Sequence, residues 1–445
     1  MSTAPLSGAI DAAAPPADEA HKPVSRGRAT YTLLILTLIG AFNYLDRALL
    51  GLLAPLIRKD IIISDTMYGW ISGFAFVLFY ALLGIPIAAL ADRISRRNVI
   101  AVGFTVWTVM TVVTGAVTGA LQLAVTRFLI GAGEACFSAP SNTMINDLFS
   151  QRTRRRALSV FFAASSGIST IAFMPLAGIA SARYGWRGTF VIAGVAGLVL
   201  IGLFMLTVKE PRHREAAKAS GTAGGRFFDF SFFRLPFVLL MCSSALNGAH
   251  LNAALAWSSI FLNRVHGLSV REIAMVVGPF RGVLSTIGIL VGGYLTDRLS
   301  RNDPRWRLWL PAAACFLVTP SAVLFLFGEQ RWVWMTGIGL DSILLLTHVA
   351  PVYALAMEVA GPQRRALALS VLMLASMLVG SGMGPLLVGY LNDHVVKDMG
   401  AEGIRYSLMV AALFPGISAA MLVGAGWFLD RERRAAARSP RARLD

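Results

Sequence analysis

An acid and a base stand side by side in FNYLDRALL, Phe42 to Leu50, inside a run that is otherwise almost wholly apolar. A second charged constellation follows in RFLIGAGEACFSAP, Arg127 to Pro140, where Arg127 and Glu134 are seven residues apart. On a helix that spacing is two turns, so the two side chains share a face about 10 Å apart and cannot touch. An ionisable group in mid-bilayer costs about 2.5–3.5 kcal/mol on insertion scales, so such groups face a cavity or one another. An arginine nearby favours the charged form of a carboxylate, while desolvation favours the protonated form. Asp46 and Glu134 are therefore candidate proton carriers, and Arg127 is the charge whose attraction shifts as they protonate. Counting the rise per residue puts Asp46 at a depth between Arg127 and Glu134, where it can exchange partners. The alternative is a fixed ion pair that ties two helices together. Asn43, one turn before Asp46, is placed to hydrogen-bond the acid or a solute. Arg47 is a further candidate solute contact.

The other deep charges are Arg281, in VVGPFRGVLS, and Asp341 at a similar depth. They either pair with each other or leave Arg281 to hold an anionic head group. His250 and His348 belong to the side-chain type that titrates near neutrality, although a single histidine on a helix is more often a hydrogen-bonded packing residue. His250 and Phe137 join Arg47, Asn43 and Arg281 as candidate solute contacts. Phe42, Phe74, Tyr80, Phe161 and Phe173 either line an apolar section fit for an acyl chain or pack in the core. Cys136, Cys242 and Cys315 have no metal-ligand spacing. No nucleophile elbow or phosphate-binding loop occurs, so nothing points to catalysis or to a cofactor other than a coupling proton.

These groups need helices to carry them. Of 445 residues 56% are hydrophobic and only 14% charged, where a soluble chain keeps roughly a quarter charged. The reading is an all-α membrane protein. A hydrocarbon core about 30 Å thick needs about 20 apolar residues per crossing, and twelve such runs are found: 31–57, 67–91, 98–118, 121–146, 157–180, 188–208, 236–262, 273–296, 308–328, 332–358, 366–391 and 406–429. The net charge of +16 is concentrated on alternate loops. That is the positive-inside pattern, with both termini cytoplasmic, and it argues against a nucleic-acid partner. Residues 1–28 read as a disordered cytosolic tail, 29–208 and 232–430 as two six-helix bundles, 209–231 as a cytosolic linker and 431–445 as a basic tail. The end of that linker, FFDFSFF from Phe227 to Phe233, is either a surface-lying segment or a plain loop. The absence of an Asn-x-Ser/Thr sequon favours a bacterial source and hence the inner membrane.

The two halves repeat one another. ALADRISRR, Ala89 to Arg97, recurs as YLTDRLSRN, Tyr294 to Asn302, which makes Asp92 and Asp297 counterparts. At an offset near 211, Pro140 matches Pro351, Asp147 matches Glu358, Arg154 matches Arg365 and Ser159 matches Ser370. Transporters arise from such repeats with the solute site between them. A cytoplasmic charge network is expected from Asp92, Arg93, Arg96, Arg97, Asp147 and Arg154 in one half and Asp297, Arg298, Glu358 and Arg365 in the other. Asp92 would accept hydrogen bonds there from arginines such as Arg154 or from the start of the eleventh span.

With these motifs the chain resembles the major facilitator superfamily over nearly all its length. The family's loop signature, Gly-x-Leu-Ala-Asp-Arg-x-Gly-Arg-Arg, stands here with Ala88 and Ser95 for the glycines; the second copy keeps Gly293 and has Ser300. NYLDR (Asn43–Arg47), RFLIGAGEA (Arg127–Ala135) and NDLF before a basic run resemble the spinster branch of lysolipid and sphingolipid transporters, most of all a bacterial spinster homologue. That resemblance implies proton-coupled movement of a lysolipid-like amphiphile by rocking of the two halves, with Asp46, Arg127 and Glu134 matching the family's functional charges. The same pattern is similar to the anion:cation symporters of sugar acids, but those have Trp-Phe-Pro where this chain has Asp147-Leu148-Phe149. Met174-Pro175-Leu176-Ala177-Gly178 is a partial antiporter-type signature that lacks the glycine before its proline. The partners implied are a small amphiphilic or anionic solute and membrane lipids, with the chain a monomer.

Overall fold

The computed structural model describes residues 25–91, 94–210, 232–361 and 364–438, and the regular structure among them is all helical. α1 is Arg26–Asp60, α2 the pair of segments Asp65–Ser72 and Phe74–Ala91, α3 Arg96–Thr114, and α4 the pair Ala120–Ala135 and Ser138–Leu148. A 57-residue helical stretch, Gln151–Thr207, follows. At 1.5 Å per residue it is about 86 Å long, enough for two crossings. It reverses at Gly185, with φ 67° and ψ −177°, which gives α5 (151–184) and α6 (186–207). In the second half α7 is Leu235–His266, α8 Val270–Ser300, α9 Trp306–Phe327 and α10 Arg331–Ala360. α11 runs over 365–394, and α12 comprises Gly403–Ala412 and Phe414–Arg438. Among the described residues twelve crossings result, each overlapping its expected span, although α5 begins earlier, at Gln151, and α12 continues to Arg438.

Gly185 occupies a backbone region essentially closed to residues with a Cβ, where strain is of order 1–3 kcal/mol. A Cβ there would meet nothing within 4 Å, so the strain is purely conformational. Gly185→Ala is expected to lower unfolding stability by about that amount without changing transport once folded. Thermal unfolding of the purified variant checks this.

Serines begin several helices by accepting a backbone N–H three residues on: Ser64 from Met67 at 3.1 Å, Ser95 from Asn98 at 3.3 Å and Ser269 from Glu272 at 3.2 Å. Prolines interrupt others, because proline has no N–H and crowds the carbonyl four residues back. α4 breaks before Pro140 and α10 at His348 before Pro351, so the matched prolines of the two halves make matched kinks. Before Pro175, Pro279 and Pro385 the chain widens into π turns at Ser169–Phe173, Ile273–Val277 and Ser376–Met383. Each turn contains the carbonyl its proline leaves unbonded. Met174 N instead reaches Ser169 O, and Gly278 N reaches Ile273 O.

The starts of α1 and α3 meet the end of α6 through Tyr31 Oη to Thr207 and Glu210 to Ser95, and the start of α9 meets the end of α12 through Arg305 to Asp430. These contacts define the terminal end of the bundle. Toward it each half has its own apolar core, one around Leu36, Phe104, Trp107 and Phe204, the other around Phe237, Cys315, Val352 and Leu422. At the opposite end a single core joins Leu49, Leu53 and Tyr68 to Trp257, Ile260 and Phe261. Tyr68 Oη donates to Ala256 O across the halves at 2.9 Å. The halves are therefore fastened at one end and packed separately at the other.

Candidate functional site: crossed ion pairs between two helices

α1 and α4 are joined in the first half by two buried ion pairs. Asp46, 3% exposed, accepts from Arg127 Nη1 at 3.4 Å and from Thr111 Oγ1 of α3 at 2.8 Å. Glu134, fully buried, accepts from Arg47 Nε at 2.8 Å. The side chains of Asp46 and Arg47 leave adjacent positions on α1, whereas Arg127 and Glu134 share a face of α4. The pairing is thus crossed, acid to base in both directions. Side chains lean toward a helix's N-terminus, which for Arg47 is the direction of Glu134. The depths along the two helices leave Asp46 between Arg127 and Glu134 and Arg47 as a solute contact; in the structure Arg47 instead reaches back along its own helix to Glu134.

The two pairs differ in access. The Arg127 side chain is 3% exposed and lies 5.5 Å from the Phe190 ring centroid. The Arg47 side chain is 38% exposed and packs on Phe76 at 4.8 Å and Tyr80 at 5.1 Å. Around them Asn43 faces the Glu134 carboxylate, and among the described residues Arg127 Nε and Nη2 have no protein partner. Buried polar atoms are normally hydrogen-bonded, so these two nitrogens mark a network that protein alone does not complete.

In the second half His250, Arg281 and Asp341 come together. His250 Nε2 and Asp341 Oδ1 are 2.8 Å apart, Arg281 Nη2 is 3.9 Å from Asp341 Oδ2, and Arg281 Nη1 donates to Ser258 Oγ at 3.2 Å. The expected pairing of Arg281 with Asp341 is present as a loose contact, and His250 is the closer partner. His348 hydrogen-bonds the carbonyl of Leu345 in the α10 kink.

Near the terminal end Arg96 pairs with Asp147 and Arg307 pairs with Glu358 at 2.9 Å. Both pairs span 51 residues, and they are related by the same 211-residue offset as the acids. The acids are thus met by arginines that begin the preceding span, not by Arg154 and Arg365 seven residues on. Arg154 Nε is buried without a partner among the described residues, and Arg365 is exposed. Arg97 donates to Met205 O, and Arg298 to Tyr294 Oη at 3.1 Å beside an exposed Asp297. Glu210, read as linker, caps α3 instead: it accepts from Ser95 Oγ at 2.7 Å, Arg96 N at 3.2 Å and Arg97 N at 2.7 Å. Asp92, Arg93 and most of FFDFSFF lie outside the described residues, while Phe232 packs into the second half's core against Phe237.

Phe137 is corrected from solute contact to core. It is 3% exposed, between Trp107 and Phe161, because the α4 kink turns it inward. Phe161 is likewise core, whereas the tilted rings of Phe42 and Phe173 meet at 5.0 Å between the two clusters.

The sequence matches the Major Facilitator Superfamily over residues 36–385 and 282–444. The chain belongs to the Major Facilitator Superfamily. It is similar to an MFS-type efflux pump of Mycolicibacterium smegmatis, 33% identical over 401 residues that make up 89% of this chain and 91% of the pump. It is 25% identical over 446 residues to protein spinster homolog 1 of Xenopus tropicalis, covering 94% and 85% of the two chains. A solved structure of a bacterial homolog to the human lysosomal transporter Spinster, inward-facing and unoccupied, superposes with a TM-score of 0.80 at 26% identity over 91% of this chain and 98% of that one. This member of the superfamily is a multi-pass, spinster-like secondary transporter. Its twelve crossings in two bundles are the architecture the loop motifs implied.

Proposed function

We propose that this transporter moves a lysolipid-like amphiphile by alternating access coupled to protons, and that Glu134 is the coupling carboxylate. The observation that carries the reading is the Arg47–Glu134 pair, in which a fully buried acid is held by an arginine whose side chain is 38% exposed. A protonated Glu134 releases Arg47 to an anionic head group, and a deprotonated Glu134 recaptures it. Proton and anion therefore bind together and travel in the same direction. The apolar surround of Phe76 and Tyr80 suits a chain attached to that head group. Asp46, anchored by Arg127 and Thr111, sets the field in which Glu134 titrates. The basic terminal end is the cytoplasmic one, which makes the present arrangement inward-facing. Arg96–Asp147 and Arg307–Glu358 brace each half at that end as it swings.

Purified protein in liposomes with an imposed pH gradient provides the test, using labelled lysophospholipid and, separately, a labelled sugar acid. Glu134→Gln and Asp46→Asn are expected to bring gradient-driven lysolipid movement down to the level of empty liposomes, while lysolipid exchange without a gradient continues in Glu134→Gln. Wild-type gradient-driven movement in Glu134→Gln defeats the coupling assignment. Movement of the sugar acid alone defeats the solute assignment.

A further inference from the structure

Glu134 holds the edge of the Arg47 guanidinium, and other residues hold its face. The guanidinium carbon lies 4.8 Å from the centre of the Phe76 ring and 5.1 Å from that of Tyr80. Phe76 and Tyr80 are four residues apart on α2 and so share one face of that helix. Their rings stack at 5.8 Å with 28° between the planes. A guanidinium within about 6 Å of a ring centre is attracted by the negative face of the ring, more strongly where water is excluded. Two rings at this range make one platform under one cation.

The platform is fastened to α4 on both sides of Glu134. Three residues before the acid, Gly131 packs on Phe76: a Cβ there would stand 2.5 Å from the Phe76 carbonyl oxygen and 3.4 Å from the ring. A residue without a side chain is what lets α2 come this close. Four residues after the acid, the Ser138 and Tyr80 hydroxyls hydrogen-bond at 3.2 Å. Among the described residues the guanidinium gives protein a single hydrogen bond, from Nε to Glu134. Its side chain is part-exposed, which leaves the Nη edge available to a solute.

Protonating Glu134 removes the ion pair and leaves the rings as they are. We propose that Phe76 and Tyr80 are positioning residues: their stacked rings keep the Arg47 guanidinium in place once Glu134 is neutral, with its Nη edge presented to the oxyanion of a head group. An arginine held in this way offers a planar fork to paired oxygens. It also loses less freedom on binding than one that must first be recaptured. The platform deepens the reading of Glu134 as the coupling carboxylate and rests on that reading only for the identity of the solute.

The deciding test needs neither solute nor gradient. Full-length protein with ¹⁵N-labelled arginine is placed in lipid nanodiscs, and the Nε–H signal absent in Arg47→Lys is that of Arg47. The two rings displace it from the ordinary arginine position. In Glu134→Gln, where the side chain is neutral and of nearly the same shape, the displacement is expected to persist. Adding Tyr80→Phe, which keeps the ring, is expected to preserve it, and adding Tyr80→Leu, which removes the ring, to shrink it. Return to the ordinary position in Glu134→Gln alone overturns the proposal and leaves Glu134 standing as the coupling carboxylate. Binding then reads the consequence. Tyr80→Leu is expected to weaken lysophosphatidylglycerol by about two- to thirtyfold, the span of such an attraction expressed as an equilibrium constant. Monoacylglycerol, which has no oxyanion, is expected to bind unchanged, and Tyr80→Phe to stay close to wild type with both lipids. Equal weakening of the two lipids means that Tyr80 only shapes the cavity, and overturns the proposal. Should the wild type bind neither lipid, the lysolipid reading falls and the arginine signal decides alone; should Tyr80→Leu fail to fold, the signal in Glu134→Gln decides.

Discussion

Asp65→Asn is expected to unfasten the non-terminal face and shift the transporter toward the conformation open at that end. Asp65, 6% exposed at the start of α2, holds three partners at once. Arg58 of its own half pairs with it, Arg264 of the other half grips both carboxylate oxygens at 3.2 and 3.3 Å, and Asn392 donates at 2.8 Å. Beside it Asp393 of α11 accepts from the backbone N–H of Asp65 at 3.2 Å and from Thr66 N and Oγ1, each at 2.7 Å. A carboxylate of one half thus caps a helix of the other, where the exposed N–H groups and the helix dipole favour negative charge. The glycines bring the backbones close enough for this. A Cβ on Gly389 would stand 2.2 Å from Asp65 O, and one on Gly69 2.5 Å from Pro385 O.

Truncating one partner of a desolvated charge pair at an interface costs about 2–5 kcal/mol, much of it from the charges left behind. Here the charges left behind are two arginines. Since 1.4 kcal/mol is tenfold in an equilibrium constant, the lower figure already changes the ratio of the two conformations by about thirtyfold. Spin labels at Ile62 and Val395, 102% and 63% exposed on opposite halves, report the opening as a longer distance population between them. An unchanged distance distribution in Asp65→Asn would mean that the shared apolar core around Trp257 closes this face by itself. Arg264→Gln is expected to act in the same direction but more weakly, because Arg58 and Asn392 stay on the acid.

The elements were legible in the sequence because their signals are long and local. Twenty-residue apolar runs, a polar linker and repeated loop motifs gave the crossings and the two halves, and the Pro140–Pro351 match belongs to the repeat, its kinks appearing only in the structure. The latch at Asp65 was not legible. Asp65, Arg264 and Asn392 sit near span ends, where isolated charges are ordinary, and only the folding together of distant segments makes them a cluster. The same applies to His250, separated by 91 residues from Asp341. For the crossed pairs the residue types and depths were readable, but the partner of Glu134 depends on the length and tilt of Arg47. Spacing along a helix says nothing about either. Phe137 was misplaced because a kink rotates the residues after it, which carries an aromatic from the expected cavity face into the core.

Arg127→Met is expected to lower the unfolding stability of the protein by about 3–5 kcal/mol. Arg127 and Asp46 are 2% and 3% exposed, so neither charge reaches water when its partner is gone. Breaking a buried pair by removing one member costs about 3–5 kcal/mol, whereas replacing both members by neutral groups of similar size is often close to neutral. Asp46→Asn alone strands Arg127 and falls in the same range. The double variant Arg127→Met with Asp46→Asn is therefore expected to be more stable than either single one, and Thr111 keeps a partner in the asparagine oxygen. Unfolding of the four proteins in the same detergent, read by loss of tryptophan signal, gives the coupling energy directly. Additive losses would mean that the 3.4 Å contact between Arg127 and Asp46 carries no energy of its own, and that water screens the pair. The double variant also separates structure from transport. If Asp46 serves only to hold α1 against α4, a stable double variant keeps pH-gradient-driven movement; if Asp46 sets the field in which Glu134 loads its proton, the stable protein has lost it.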